Sequence, residues 1–207
     1  MAFWVGKLLP IYLYSLKIKY MIYVGIDYSL TSPSVCVYNS DRGDFVFDNC
    51  TFSVISDVKI PPNLPKNIFI SPHKPWTNQD ERYHNIADYL IKTNCLESAD
   101  VILIEDYAFA AKGRVFGIAE NTEVLQYNLW LKKKQYTKIS PKSIKKWATG
   151  SGNAAKEQMV EAFHKNPKNP DMFSIFASPR KKTGKVDSPL SDIVDSYFIC
   201  GWAVTNL

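Results

Sequence analysis

Met21-Ile-Tyr-Val-Gly-Ile-Asp27 is a run of apolar, largely β-favouring residues that ends on a carboxylate. Residues Ile22 to Ile26 lack the polar alternation of a half-exposed strand, so they predict a strand that is buried on both faces, as in the centre of an α/β sheet. Such sheets bind ligands beyond the carboxyl ends of their strands. Asp27 is therefore a candidate ligand-binding acid, and the alternative is that it only begins the turn of residues 28–33.

A second apolar strand also ends on an acid. Val101-Ile-Leu-Ile104 precedes Glu105 directly. Two buried strands that both end in carboxylates predict an acidic site at one edge of the sheet. Asp106 is a possible substitute ligand, but alternation along a strand directs its side chain the other way.

Two further acids lie in the last predicted helix, Pro189 to Val204. Asp192 and Asp195 are three residues apart, so they share one face of that helix. Acids in the first turns also offset the helix macrodipole, and this alternative explains Asp192 better than Asp195.

The segments between these acids predict a mixed α/β domain. An antiparallel meander is expected at residues 34–38, 45–47 and 50–55, with a turn at 41–44, and a further short strand at 135–139. A cap at Asn78 or Thr77 begins one predicted helix, and three more are expected at 114–133, from Pro141 to the glycines at 150 and 152, and at 154–164. The proline-rich residues 61–75 predict an irregular loop, and residues 165–188 predict a mobile one.

Length and composition bound the class of protein. A chain of 207 residues with 46% apolar and 22% charged residues suits one folded domain. The four cysteines form no CxxC pair, which is typical of a reduced, cytoplasmic protein. The three histidines share no metal-ligand spacing with any cysteine, which argues against zinc.

Residues 1–20 are apolar with scattered lysines. They are too short and too interrupted for a spanning helix, and no small-residue cleavage site is evident. We expect an N-terminal extension outside the fold, reflecting an upstream extension or a misplaced start codon. A membrane-surface anchor is the alternative.

Positive charge is concentrated in one part of the chain. The net charge is +5, and Lys7, Lys17 and Lys19 supply three of these charges, which leaves +2 for residues 21–207. An acid-free stretch with three aromatic residues contains many of the remaining lysines: Lys132, Lys133, Lys134, Lys138, Lys142, Lys145 and Lys146. Such a run either contacts nucleic acid or forms a solvated face.

The order of these elements and acids resembles the ribonuclease-H-like superfamily, and more closely the RuvC-like Holliday-junction resolvases, including phage versions. The resemblance covers about residues 21–204. Its markers are Gly25-Ile26-Asp27, Ile104-Glu105, Asp192-Ile-Val-Asp195, and Ser140-Pro-Lys-Ser-Ile-Lys145 followed by Gly150-Ser-Gly152-Asn-Ala-Ala-Lys156. The last pair matches the family's Pro-x-x-x-Lys and Gly-x-Gly-x-x-x-Lys pattern. The turn after the first strand departs from it, because the family's Asp-Pro-Gly is Asp27-Tyr28-Ser29 here.

The resemblance implies a ribonuclease-H-like mixed five-stranded sheet, antiparallel in its first three strands and flanked by helices, in a single domain at residues 21–207. It implies a crossover-junction endodeoxyribonuclease that resolves four-way junctions by two-metal phosphodiester hydrolysis. Its cofactor would be Mg2+, with Mn2+ as a substitute, and its partners would be branched DNA and a second copy of the chain, in the cytoplasm, or the host cytoplasm if phage-encoded. Much of the dimer contact would lie on the helix at 114–133. The alternative is that the apolar stripe of this helix packs on the sheet of the same chain.

The resemblance also assigns roles to residues. Four acids at one edge would repel one another by roughly 4 kcal/mol per close pair at an effective dielectric near 20, so the cluster requires cations. Asp27 would bridge two ions, with Glu105 and Asp192 flanking it and Asp195 completing the second site. The aromatic that some members insert at a junction aligns with Ala108, so Tyr107 or Phe109 would replace it. Lys156 would act in catalysis and meet phosphates, and the other expected DNA contacts are Lys112, Arg114, Lys142, Lys145 and Lys146.

Three other functions stay open on the sequence. One is a broader endonuclease that cuts flaps, forks or Y-junctions. Another is an actin-like ATPase or sugar kinase, which needs a second such domain and a glycine-rich adenosine loop that this chain of 207 residues lacks. The last is a DNA-binding scaffold without catalysis, against which the presence of all four acids argues.

Overall fold

The computed structural model describes residues 20–93, 96–107, 115–176 and 186–207. In these ranges the strands are β1 (Ile22–Asp27), β2 (Ser34–Asn39), β3 (Cys50–Ile55), β4 (Ile68–Ser71), β5 (Val101–Glu105) and β6 (Thr137–Ile139). The α-helices are α1 (Gln79–Thr93), α2 (Val115–Leu131), α3 (Pro141–Thr149), α4 (Lys156–His164), α5 (Met172–Ile175) and α6 (Leu190–Asn206).

The strands form one mixed sheet in the order β4-β3-β2-β1-β5-β6. β2 is antiparallel to both β1 and β3, whereas β5 is parallel to β1 and β6, and β4 is parallel to β3. The predicted mixed α/β fold with three antiparallel first strands is confirmed. The carboxyl ends of β1, β3, β4, β5 and β6 consequently meet at the same edge of the sheet, which we call the carboxyl edge.

The sheet has six strands where five were expected. β4 lies inside the proline-rich segment that was predicted to be an irregular loop, and it pairs with β3. Only four residues long and closely flanked by Pro65 and Pro72, it is too short to show a strand periodicity. Its position at the edge of the sheet explains why the nearby prolines are tolerated.

The predicted strand at residues 45–47 is wrong. Phe47–Asn49 is instead a 3-10 turn. The aromatic residues here pack in the core rather than pair in the sheet: the Phe47 ring stacks on Phe52 at 4.9 Å, and Phe45 stacks on Tyr197 of α6 at 4.8 Å.

The segment predicted as a mobile loop contains the short helix α5. Asp171 caps this helix by accepting hydrogen bonds from the backbone N–H groups of Phe173 and Ser174. Residues 177–185 of the same segment lie outside the described residues.

The sheet has a helical layer on each face. One core lies between the sheet and helices α1 and α2, and it contains Val24, Ile26 and Ile104. The other lies under α4 and α6, and it contains Phe52 and Phe163. β1 is thus buried on both faces, as its unbroken apolar character predicts.

Helix α6 lies directly against β1. A Cβ on Gly25 would be 2.2 Å from the backbone nitrogen of Cys200 and 2.7 Å from the carbonyl oxygen of Ser196. The Ser196 hydroxyl is also 2.9 Å from the hydroxyl of Ser34 on β2. These contacts fix where α6 crosses the sheet, so its first turns lie near the end of β1.

The described cysteines Cys36, Cys50 and Cys200 are buried and form no disulfide. Among the described residues, no helix is both long and apolar enough to cross a membrane.

Candidate active site

Two of the acids end neighbouring parallel strands. Ile26 of β1 pairs with Ile104 of β5, so the next residues, Asp27 and Glu105, end the two strands side by side. Adjacent strands are about 4.8 Å apart, and both side chains therefore begin close together at the carboxyl edge.

Helix α6 brings two more carboxylates to Asp27. Asp27, Asp192 and Asp195 each offer an oxygen ligand, and these three oxygens lie within 4.8 Å of one another. Asp27 and Asp192 are buried, with 9% and 4% exposure. We call these three residues the acid cluster. Glu105 is not one of its members by this distance, but it is close enough to raise the pKa of Asp27.

The acids oppose one another's ionisation. Burial, and then the charges of Glu105, Asp192 and Asp195, raise the pKa of Asp27 well above its ordinary value. Burial is also the main cause that raises the pKa of Glu105 to about 8 and that of Asp195 to about 6. Buried carboxylates with raised pKa values are stabilised in their charged form by a cation.

Lys156, the first residue of α4, lies against this cluster. Its ammonium donates to the Ser191 hydroxyl at 2.9 Å and to Oδ1 of Asp192 at 3.4 Å, and the Ser191 hydroxyl donates to the same Oδ1 at 3.2 Å. Burial acts to lower the pKa of Lys156, but the carboxylates of Asp192, Asp195 and Asp27 outweigh it and raise that pKa. The Lys156 side chain is nevertheless 49% exposed, so its charge also faces solvent.

The donor set fits a hard divalent cation. Oδ2 of Asp192 is buried and has no hydrogen-bond partner among the described residues. A buried carboxylate oxygen without a partner is unfavourable unless an ion or water binds it. Because the cluster consists of carboxylate oxygens alone, it suits Mg2+ or Mn2+ better than a thiolate-preferring metal.

Comparisons with known proteins bear on the fold. No model of a protein family matches this chain, and no curated protein sequence matches it either. The solved structure of Thermus thermophilus RuvC aligns with 89% of this chain and 96% of its own, at 14% identity and a TM-score of 0.50. T. thermophilus RuvC in complex with a Holliday junction substrate aligns with 90% of this chain and 96% of its own, at the same identity and TM-score. The chain has the RuvC fold. The yeast mitochondrial Holliday junction resolvase Ydc2 aligns with 87% of this chain and 76% of its own, at 17% identity and a TM-score of 0.49.

The lysine run divides into two parts in this RuvC fold, because β6 lies in its middle. Before β6, Lys132 pairs with Glu97 at 2.5 Å and Lys134 donates to the carbonyl of Ala99 at 3.2 Å, at the edge where β5 begins. These two lysines contact residues at the opposite end of the sheet from the acids. The lysine run therefore does not form one continuous surface in the described residues.

The lysines after β6 lie at the carboxyl edge, on helix α3. The charge of Lys145 acts to lower the pKa values of Glu105 and Asp195, which places it near the acids. Lys142 and Lys146 are exposed on the same helix. The helix begins after Ser140, whose side chain accepts from the backbone N–H of Ser143, and it ends at Gly150 in the left-handed conformation.

Of the two expected junction aromatics, only Tyr107 is described. It lies just after β5, and the Lys138 ammonium is 5.7 Å from the centre of its ring. Asp106 accepts a hydrogen bond from the backbone N–H of Tyr107 and is not part of the acid cluster. Phe109, Lys112 and Arg114 lie outside the described residues.

Three contributions to the site were missed in the sequence. Ser191 connects Lys156 to Asp192, and its position at the start of an apolar helix beside a candidate acid was the signal that could have revealed it. Gly25 was recognised only as part of a motif, although it is the point at which α6 meets β1. The contact between Lys138 and Tyr107 leaves no pattern in the sequence, because the two residues belong to distant segments of the chain.

Proposed function

We propose that this protein is a metal-dependent, structure-selective DNA endonuclease that resolves four-way junctions. The observation that carries the proposal is the acid cluster, in which β1 and α6 bring three carboxylate oxygens within 4.8 Å of one another beside Lys156. The position at the carboxyl edge is where α/β folds bind ligands. The RuvC fold supports the choice of substrate, since a solved protein with that fold is bound to a Holliday junction.

Asp27, Asp192 and Asp195 would hold Mg2+, with Mn2+ as a substitute, and Glu105 would contribute to a second ion. When bound, such ions activate water and offset the negative charge that develops on a phosphodiester during its hydrolysis. The buried setting of Asp27 and Asp192 strengthens their attraction for a cation, because the effective dielectric is lower than in water. Asp27 would be shared by both ions, because it ends the strand beside Glu105 and also lies with Asp192 and Asp195.

The lysines would bind the substrate phosphates. Lys156 is held by Ser191 and Asp192 on one side and is half-exposed on the other, so it can contact a phosphate without leaving the cluster. Lys145 adds positive charge next to Glu105. Further from the cleavage point, the DNA would contact Tyr107 and the two exposed lysines of α3, Lys142 and Lys146.

A homodimer would form through α2. Residues of the predicted apolar stripe, such as Leu125 and Leu129, are fully buried within the same chain. A different face of α2 exposes large apolar side chains, with Tyr127 59% and Trp130 67% exposed and their rings stacked at 5.8 Å. Exposed apolar patches of this kind mark protein interaction sites. A second copy of the chain is the partner that would place two acid clusters on one symmetric junction.

The experiment that tests the nuclease proposal compares Asp27→Asn with Asp106→Asn, each offered a four-way junction, a fork and a linear duplex with Mg2+. We expect Asp27→Asn to bind the junction but to cut it more than about 10³-fold more slowly, because it loses a shared metal ligand. Asp106→Asn removes an acid from the same edge but outside the cluster, and should cut within a few fold of the unmodified protein. Unchanged cleavage by Asp27→Asn would refute the assignment. Equal cutting of forks and junctions would favour the broader branch endonuclease.

A further inference from the structure

A cleft lies on the α1 and α2 side of the sheet. Its volume is about 490 Å³, and it is lined by Leu30, Thr31, Gln79, Arg82, Tyr83 and Gly117. We call it the Arg82 cleft. Sites that bind small organic groups have a similar volume. They are also lined, as this cleft is, by apolar walls with a few polar groups.

Arg82 is the only charged residue in that lining among the described residues. Its guanidinium donates through Nη2 to the carbonyl of Leu30 at 2.6 Å, and it lies 4.8 Å from the centre of the Trp76 ring. Its Nε is buried and has no hydrogen-bond partner among the described residues. Arg82 is thus fixed from two sides while one of its donors stays unused.

The carboxylates near the cleft are Asp80, Glu81 and Glu120. Glu120 accepts a hydrogen bond from the Tyr83 hydroxyl at 3.3 Å, and Glu81 accepts two from Thr77. None of these carboxylates lines the cleft. The group that enters therefore meets a guanidinium, a tyrosine and polar side chains, a combination that suits a nucleotide with its flat base and its phosphate.

The cleft and the proposed active site share a loop. Leu30 and Thr31 belong to the loop that directly follows Asp27, and Leu30 is three residues beyond Asp27. Three residues span at most about 11 Å, which corresponds to about three nucleotides of a stacked strand at about 3.4 Å each. The backbone of Thr31 is held in place, since its carbonyl oxygen is 3.1 Å from Nε2 of His73.

We propose that the Arg82 cleft binds an unpaired nucleotide of the substrate strand, within about three nucleotides of the phosphate at the acid cluster. The inference rests on the proposed function and specifies its substrate. A concave site of this size admits a nucleotide that has left the base stack, but not a paired one inside a duplex. The protein would accordingly favour branch points at which a nucleotide is unpaired.

The test measures DNA binding by fluorescence anisotropy in EDTA, where no cleavage takes place. Two junctions are compared that differ only in one unpaired nucleotide at the branch point. The variants are Arg82→Ala, which removes the guanidinium, and Thr31→Trp, which fills the cleft from an exposed position and leaves Arg82 intact. The control is Lys92→Ala, which removes one positive charge from the same helix. Lys92 forms an ion pair with Asp88 on that helix.

We expect Arg82→Ala and Thr31→Trp each to weaken binding of the junction with the unpaired nucleotide by about tenfold, the scale of one base contact. Binding of the fully paired junction should change less than about twofold. Lys92→Ala should change the affinity for both junctions by the same factor. The inference is overturned if Thr31→Trp binds both junctions as the unmodified protein does, or if Arg82→Ala and Lys92→Ala are indistinguishable. Because no metal is present, these outcomes are independent of cleavage: a protein that binds as expected but never cuts would refute the nuclease proposal alone.

Discussion

Replacing Asp195 by asparagine should stabilise the metal-free protein at neutral and higher pH, although it should abolish or weaken metal binding. Burial is the main cause that raises the pKa of Asp195 from its ordinary value of 3.8 to about 6, against the opposing charge of Lys156. The folded protein therefore binds this proton more tightly than the unfolded chain does.

The sign and size of the effect follow from that difference. A carboxyl whose pKa is raised on folding lowers stability as the pH increases from its unfolded value to its folded value, here from about 4 to about 6. Above that range the loss is about 3 kcal/mol, at 1.36 kcal/mol per pKa unit. An asparagine side chain carries no charge at any pH, so the advantage of Asp195→Asn over the unmodified protein should grow by about 2.4 kcal/mol between pH 4 and pH 7.

The assay is urea unfolding in EDTA at pH 4, 5, 6 and 7. An increase of about 2.4 kcal/mol corresponds to about 5 to 10 °C in melting temperature for a domain of this size. Asp171→Asn is the control, because a hydrogen bond from Ser174 lowers the pKa of Asp171 and its pH dependence should have the opposite sign. A variant whose advantage does not grow with pH would refute the reasoning. Saturating Mg2+ should reverse the order, since a ligand stabilises only the form that binds it.

Two other predictions follow from the packing of helices. Gly25→Ala should destabilise the protein by more than about 2 kcal/mol and eliminate cleavage, because a Cβ there would overlap the backbone of Cys200. Urea unfolding measures the loss of stability and junction cutting measures the loss of activity. An active, stable variant would contradict the contact between Gly25 and Cys200. Trp130→Glu should convert the proposed dimer into a monomer without a change in the far-UV circular dichroism, because the Trp130 side chain is 67% exposed on α2. Sedimentation of both proteins is the measurement, and an unchanged oligomeric state would exclude this face of α2 as the interface.

The centre of the fold could be predicted from the sequence, because its strands have a distinctive pattern. β1 and β5 are unbroken apolar runs that end on acids, which is typical of central strands whose carboxyl ends bind ligands. The antiparallel meander was predicted from β-branched and aromatic residues, and the antiparallel order of the first three strands from the resemblance to the ribonuclease-H-like superfamily. β4 could not be predicted, since four residues closely flanked by prolines carry no periodicity. The strand at residues 45–47 was predicted wrongly, because an aromatic residue that packs in the core from a turn and one in a strand give the same sequence pattern.

The candidate site was predictable in its residue types but not in its distances. Asp27 meets the acids of α6 because α6 contacts β1 at Gly25, and no local pattern reports a contact between residues so distant in the chain. The division of the lysine run was likewise hidden, because it depends on the direction of β6. Lys132 and Lys145 look equivalent in the sequence, but one pairs with Glu97 and the other lies near Glu105.

The contact between α6 and β1 has a consequence for synthesis of the protein. Asp27 leaves the ribosome before Asp192 and Asp195, which follow 165 and 168 residues later. A growing chain can form much of the sheet before α6 exists, because chains are made from the amino terminus. During that time the acid cluster is incomplete and cannot hold the proposed metal ions. A nascent chain that meets DNA therefore cannot cut it, and the proposed activity begins only when the last helix has docked on Gly25.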